Sequence, residues 1–127
     1  MAFRKRALVV DDDEPIRSML AKIVERHDLE VDTARDGAEA IERIEGDAYD
    51  VVVLDLMMPK VDGFAVLSYM KEHHPEALTS TIIASAIPPA EIFRRFDGAV
   101  YRVHSKPFDL PRLIADIEHC VDDKRAA

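Results

Sequence analysis

The chain has 127 residues, 48% hydrophobic and 33% charged, the composition of one globular domain with enough apolar mass for its own core. Seventeen Lys and Arg against 25 Asp and Glu give a formal charge of −8, which argues against non-specific binding to nucleic acid or to an anionic membrane. No apolar run approaches the ~18 residues of a membrane span, Ala7 to Val10 is too short for a signal peptide, and the lone Cys120, in an amphipathic stretch, suits buried packing in a reducing cytoplasm.

Arg4-Lys5-Arg6 reads as a solvated basic flank, and Leu8-Val9-Val10 as a first strand running into Asp11-Asp12-Asp13. Ile16, Met19, Leu20, Ile23 and Val24 follow the i, i+3, i+4, i+7, i+8 stripe of a helix packed on one side, with Pro15 in its first turn and Asp13 as cap. A short strand, Glu30 to Ala34, and a helix around Ala38 to Ile44 come next. The all-apolar Val51 to Leu54 then runs into Asp55. Phe64, Leu67 and Met70 mark a third helix, entered through Asp62-Gly63 and closed before Pro75. Thr81 to Ala84 is a fourth strand, leading to Ser85, and only about Ala90 to Phe96 is left for a fourth helix after Pro88-Pro89. A strand over Val100 to His104 leads to Lys106. A last helix, capped by Asp109, carries Leu110, Leu113, Ile114, Ile117 and Val121, with Asp122 to Ala127 as a frayed tail. The order is (βα)5. Continuous apolar strands covered on both faces predict a doubly wound five-stranded parallel sheet, order 2-1-3-4-5, flavodoxin-like, as a single domain over 1–127 with no output domain.

Ligands of such sheets bind beyond the carboxyl ends of the strands. There the sequence places Asp11, Asp12, Asp55, Ser85 and Lys106. Crowded carboxylates repel one another unless a cation joins them, and hard oxygen ligands favour Mg²⁺, Mn²⁺ or Ca²⁺ over zinc. Asp13 and Glu14 suit the helix start instead, where negative charge is favourable. Asp55 is the candidate nucleophile for a phosphoryl group, with Lys106 and the metal to neutralise charge and Ser85 to donate a hydrogen bond. Taken singly, each residue has a bland alternative as a cap, a turn or a loop; the ordered set at four strand ends is harder to dismiss.

Val9-Val10-Asp11-Asp12, the run Asp55-Leu56-Met57-Met58-Pro59-Lys60-Val61-Asp62-Gly63, Ser85-Ala86 and Lys106-Pro107-Phe108 together resemble the receiver domains of two-component response regulators, of the single-domain, chemotaxis-regulator-like kind. The resemblance implies a phosphoacceptor role for Asp55 and a switch-hydroxyl role for Ser85. Lys106 would contact the phosphoryl group, with a cis bond to Pro107. Mg²⁺ would be held by Asp11, Asp12, Asp55 and the Met57 carbonyl. It also implies a histidine kinase or histidine phosphotransfer protein as phosphodonor, an unspecified downstream protein target, and a signalling module rather than an enzyme of turnover. Two other readings stay open: a degenerate receiver that only mediates contacts, and an aspartate-nucleophile phosphatase. The second would want an Asp two residues after Asp55, where Met57 stands.

The chain departs from that family's pattern in two places. Val103 occupies the position, three before the lysine, that usually holds a rotating aromatic; Tyr101, two residues away in the same expected strand, shares its face and is expected to substitute in part. The fourth helix is short, which predicts mobility. Its Ile92, Phe93 and Phe96 are expected to pack on the sheet, the alternative being a partner or homodimer surface. The apolar Met57 and Ile87 flank the predicted pocket, where they would hinder water. The five histidines show no spacing for zinc.

Overall fold

The computed structural model describes residues 4–58 and 61–126, and for 124–126 the backbone alone. The elements in order are β1 (Lys5–Val10), α1 (Glu14–Glu25), β2 (Leu29–Ala34), α2 (Gly37–Gly46), β3 (Val51–Leu54), α3 (Gly63–His73), α4 (Pro75–Leu78), β4 (Thr81–Ser85), α5 (Pro89–Arg95), β5 (Arg102–Ser105) and α6 (Leu110–Ala126). All strand pairs are parallel, in the order β2-β1-β3-β4-β5, as the alternation of apolar runs and amphipathic stripes predicts.

Pleating sends alternate residues to opposite faces. Leu8, Val10, Val52, Leu54 and Ile83 join α2, α3, α4 and α5 in one core. Ala7, Val9, Val51, Val53, Ile82 and Ala84 join α1 and α6 in the other. Burial on both faces is why these strands carry no polar alternation. Each fully buried Leu or Ile contributes about 1.5–3 kcal/mol, so the two cores fix the register that aligns the strand ends.

Helix starts follow local chemistry. Asp13, Asp36 and Asp62 cap α1, α2 and α3 by accepting from the N–H groups of Ile16, Glu39 and Ala65. Asp109 likewise accepts from Arg112 N–H at the start of α6.

Four expectations change. The single turn α4 was not expected; Pro75, fixed near helical φ, starts it directly after α3. Helix α6 runs on to Ala126, past the point where the sequence reading ends it, and Asp123 accepts a hydrogen bond from Tyr101 Oη at 2.7 Å. That bond belongs to a third correction. Tyr101 lies before β5 rather than in it, so two-residue alternation does not apply: Tyr101 packs in the α1/α6 core and Val103 against the opposite one. Tyr101 therefore does not stand in for an aromatic at position 103.

The fourth concerns the basic flank, which is paired rather than merely solvated. Arg6 donates to Asp47 and Asp32, both at 2.7 Å, and Tyr49 Oη donates to the same Asp32 at 2.7 Å. Burial, followed by the bond to Asp32, raises the Tyr49 phenol well above its ordinary value. Arg6→Met leaves Asp47 without its guanidinium and Asp32 with Tyr49 alone, and is expected to lower Tm by about 4 °C, roughly 1 kcal/mol; a thermal melt unchanged within a degree would show the cluster to be incidental.

Helix α5 has seven residues, no side-chain cap and Pro88 as its N-cap. Ile92 and Phe96 are buried as expected, whereas Phe93 is 56% exposed. With so short an unaided helix, amides of Ile92 to Phe96 are expected to exchange at least tenfold faster than those of Ile82 to Ala84. Equal protection in a hydrogen-exchange measurement would refute a loosely held α5.

Candidate functional site at the carboxyl rim of the sheet

Four chain reversals at the sheet's carboxyl end converge on one acidic pocket. Asp11 and Asp12 leave β1, Asp55 leaves β3, Ser85 ends β4 and Lys106 follows β5. Ligand oxygens of Asp11, Asp12 and Asp55 all lie within 4.8 Å of one another. Asp11 and Asp55 are 2% and 4% exposed, while Asp12 is open to solvent.

Main-chain bonds hold these groups in place. Asp11 N–H donates to Ala34 O across to β2, and Asp55 N–H to Val10 O across to β1, at 3.1 and 3.0 Å. Asp13 N–H donates to Asp11 Oδ1 at 2.9 Å, and Met57 N–H to Asp55 Oδ1 at 3.2 Å. Lys106 Nζ reaches Asp11 Oδ2 at 3.0 Å and Asp55 Oδ2 at 3.4 Å. The Lys106–Pro107 bond is cis.

Three carboxylates against one ammonium leave an excess of negative charge. Burial raises the Asp55 carboxyl above the usual range, Met57 N–H opposes that, Asp11 raises it further and Lys106 lowers it. Burial alone would lower Lys106, but its contacts with Asp11 and Asp55 outweigh burial and leave it raised and charged. The donor set is all oxygen, which fits a hard divalent cation and not zinc.

Ser85 is fully buried at the same rim. Its Oγ accepts from Ile87 N–H at 3.3 Å, and its carbonyl accepts from Lys106 N–H at 2.9 Å. Beside the carboxylates a cleft of about 450 Å³ is lined by Asp12, Met57, Phe64, Ile87, Glu91 and Arg95. A larger cleft of about 570 Å³, between β5 and α6, holds none of the predicted site residues. His104, in that cleft, contacts Asp116 at 2.7 Å rather than Lys106's partners.

The sequence expectation set Asp11, Asp12, Asp55, Ser85 and Lys106 at one rim; the three carboxylates and Lys106 converge there, while the Ser85 hydroxyl, at the end of β4, accepts from Ile87 N–H. Met57 is present through its N–H bond to Asp55, with its side chain 57% exposed. Pro59 and Lys60, within the loop motif, lie outside the described residues. Sequence reasoning missed Arg17, whose Nη1 donates to Asp11 O at 2.9 Å. No sequence signal marks it, because its partner is a main-chain carbonyl six residues earlier, beyond the helix start.

Residues 7–118 match the model of the response regulator receiver domain. The chain belongs to the response regulator receiver family. Among curated proteins, this receiver domain is 33% identical over 110 residues to the transcriptional regulatory protein TcrA of Mycobacterium tuberculosis, covering 87% of the chain and 43% of TcrA. It is 34% identical over 110 residues to the response regulator MprA of Mycolicibacterium vanbaalenii, covering 87% of the chain and 47% of MprA. The chain thus spans about half the length of the curated relatives it matches.

Among solved structures, the Francisella response regulator 1452 receiver domain superposes with TM-score 0.85 at 28% identity, over 95% of this chain and 99% of that one. The response regulator TrrA of Thermotoga maritima, solved in complex with Mg²⁺-BeF, superposes with TM-score 0.80 at 28% identity, over 91% and 98%. No helix of the described residues is long and apolar enough to cross a membrane.

Proposed function

We propose that this receiver is a Mg²⁺-dependent phosphoacceptor and that Asp55 is its acceptor residue. An ionised Asp55 oxygen forms the new bond to phosphorus, the donor's N–P bond breaks, and the imidazole of a histidine kinase or histidine phosphotransfer protein leaves. The observation that carries this reading is the placement of Asp55. It is a nearly inaccessible carboxylate within 4.8 Å of Asp11 and Asp12 oxygens and 3.4 Å from Lys106 Nζ.

Asp11, Asp12, Asp55 and the Met57 carbonyl would hold the ion, which when bound offsets the charge on the transferred group. Mn²⁺ suits the same oxygen donors. Lys106 stabilises the phosphoryl oxygens from the other side. The Ser85 hydroxyl accepts from Ile87 N–H and so has its own proton free to donate to the arriving group.

Movement of Ser85 then acts on the main chain through Ile87 and the Pro88 start of α5, since Val103 offers no large rotor and Tyr101 is tied to Asp123. The output is a changed protein contact, and a downstream protein target follows from that, as does self-association through the remodelled face. A kinase-fed module of this kind works in the cytoplasm, and there we place it.

The test is intact mass after incubation with acetyl phosphate and Mg²⁺, alongside Asp55→Asn. One phosphoryl addition, dependent on Mg²⁺ and lost in the variant, is expected. If neither acetyl phosphate nor a panel of phosphorylated kinases modifies the wild-type chain, the phosphoacceptor reading fails and a contact-only receiver remains. Met57 and Ile87 present apolar groups at the cleft where water must approach. Met57→Asn is therefore expected to shorten the phosphoryl lifetime about threefold or more, measured as phosphate release; a longer lifetime would contradict the shielding role.

A further inference from the structure

The turn between β1 and α1 is braced from two sides. On one, Asp11 Oδ1 accepts from Asp13 N–H at 2.9 Å; on the other, Arg17 Nη1 donates to Asp11 O at 2.9 Å. Arg17 makes this reach from a fixed base, because its own N–H donates to Asp13 O at 2.9 Å in the first turn of α1. Arg17 as a residue is partly buried, and among the described residues it forms no ion pair. Its side-chain hydrogen bond is given to a backbone carbonyl at the end of a strand.

The contrast with Asp12 makes this brace consequential. The Asp12 carboxylate is exposed and accepts no hydrogen bond from the described residues, although it belongs to the acidic cluster. No side-chain partner aims it, so its direction comes from the backbone of the Asp11–Asp12 peptide. A charge-assisted bond to the carbonyl of that peptide is short and directional, which suits it to fixing an orientation.

We infer that Arg17 is a positioning residue for the divalent cation: by holding the Asp11 carbonyl, it sets the peptide that presents the Asp12 carboxylate to the ion. The inference rests on the metal-binding reading proposed above. Arg17 has a competing action, because a positive charge beside a cation site repels the cation. Positioning and repulsion predict opposite signs on removal, so the two are separable.

The experiment is a Mg²⁺ titration of the full chain without phosphodonor, followed by amide NMR shifts, with folding checked by circular dichroism. Wild type is compared with Arg17→Met, Arg17→Lys, and Arg17→Met combined with Asp12→Asn. Loss of an outer-shell partner typically weakens metal binding by about tenfold or more, and Arg17→Met is expected to do so here. Arg17→Lys, which retains one charged donor for the same carbonyl, is expected to recover part of the loss. In the Asp12→Asn background, where the positioned ligand is gone, Arg17→Met is expected to change the remaining affinity less than about twofold.

Equal or tighter Mg²⁺ binding by Arg17→Met overturns the inference and makes Arg17 a repelling point charge. An undiminished loss in the Asp12→Asn background overturns it as well, in favour of a general structural role. If Arg17→Met does not fold, Arg17→Ala, which also removes the donor to the Asp11 carbonyl, decides: wild-type affinity there counts against positioning and a reduced one supports it. A wild-type chain that binds no Mg²⁺ at tens of millimolar removes the metal reading itself, and this inference with it.

Discussion

Asp55→Asn is expected to raise the Tm of the metal-free protein at pH 7 by about 3–6 °C, a gain on the order of 1 kcal/mol. Most substitutions of buried residues destabilise; this one should not. The Asp55 carboxyl is raised first by burial and then by the charge of Asp11, with Met57 N–H and Lys106 offsetting only part. A carboxyl whose folded pKa exceeds its unfolded value holds its proton more tightly in the folded state. Its stabilising effect is complete below the unfolded value near 4 and is lost as pH rises through the raised folded value. At pH 7 the charged form therefore opposes folding, and Asn removes that charge while keeping the shape. Wild type and variant should converge near pH 4, and Mg²⁺ should stabilise the wild type more than the variant. A lower Tm for Asp55→Asn at pH 7 in the presence of a chelator would contradict the electrostatic account.

Gly63→Ala is expected to cost about 3 kcal/mol and to lower Tm by about 10 °C. A Cβ at Gly63 would lie 2.4 Å from Leu56 Cα and 2.6 Å from Asp55 O, both backbone atoms with little room to yield. The close approach has a purpose: Gly63 N–H donates to Leu56 O at 3.0 Å, seating the start of α3 against the loop that carries Asp55. Displacing that backbone is also expected to slow phosphorylation from acetyl phosphate at least tenfold. Gly46→Ala is the control, since nothing lies within 4 Å of its Cβ position. It should be neutral or slightly stabilising in the same thermal melt. Equal Tm for Gly63→Ala and Gly46→Ala would show the contact at Gly63 to be soft.

The fold was legible because burial on two sides leaves a plain mark on central strands. Val51 to Leu54 has no polar residue to alternate with, and helical stripes such as Leu20 and Val24 identify the covering faces. The charged residues at the site were legible for a related reason: a carboxylate directly after such a run is costly unless it has work to do. Other features were hidden because they depend on distances the chain order does not reveal. Arg17 looks like any helical arginine until its reach to Asp11 O is seen. Arg6 looks solvated until β2 brings Asp32 alongside and the loop after α2 brings Asp47. Tyr101 misled because periodicity was applied one residue before β5 begins.

The Lys106–Asp11 contact joins residues 95 positions apart. It cannot exist until the edge strand β5 has docked on β4, with β4 on β3 and β3 on β1. Pairings of such long range are the slow part of assembling a chain. During synthesis, a ribosome-bound segment ending after β4 would already carry all three carboxylates and still lack the ammonium that faces them. Charge balance at the rim is thus the last thing assembly supplies, and it arrives only with the docking of β5.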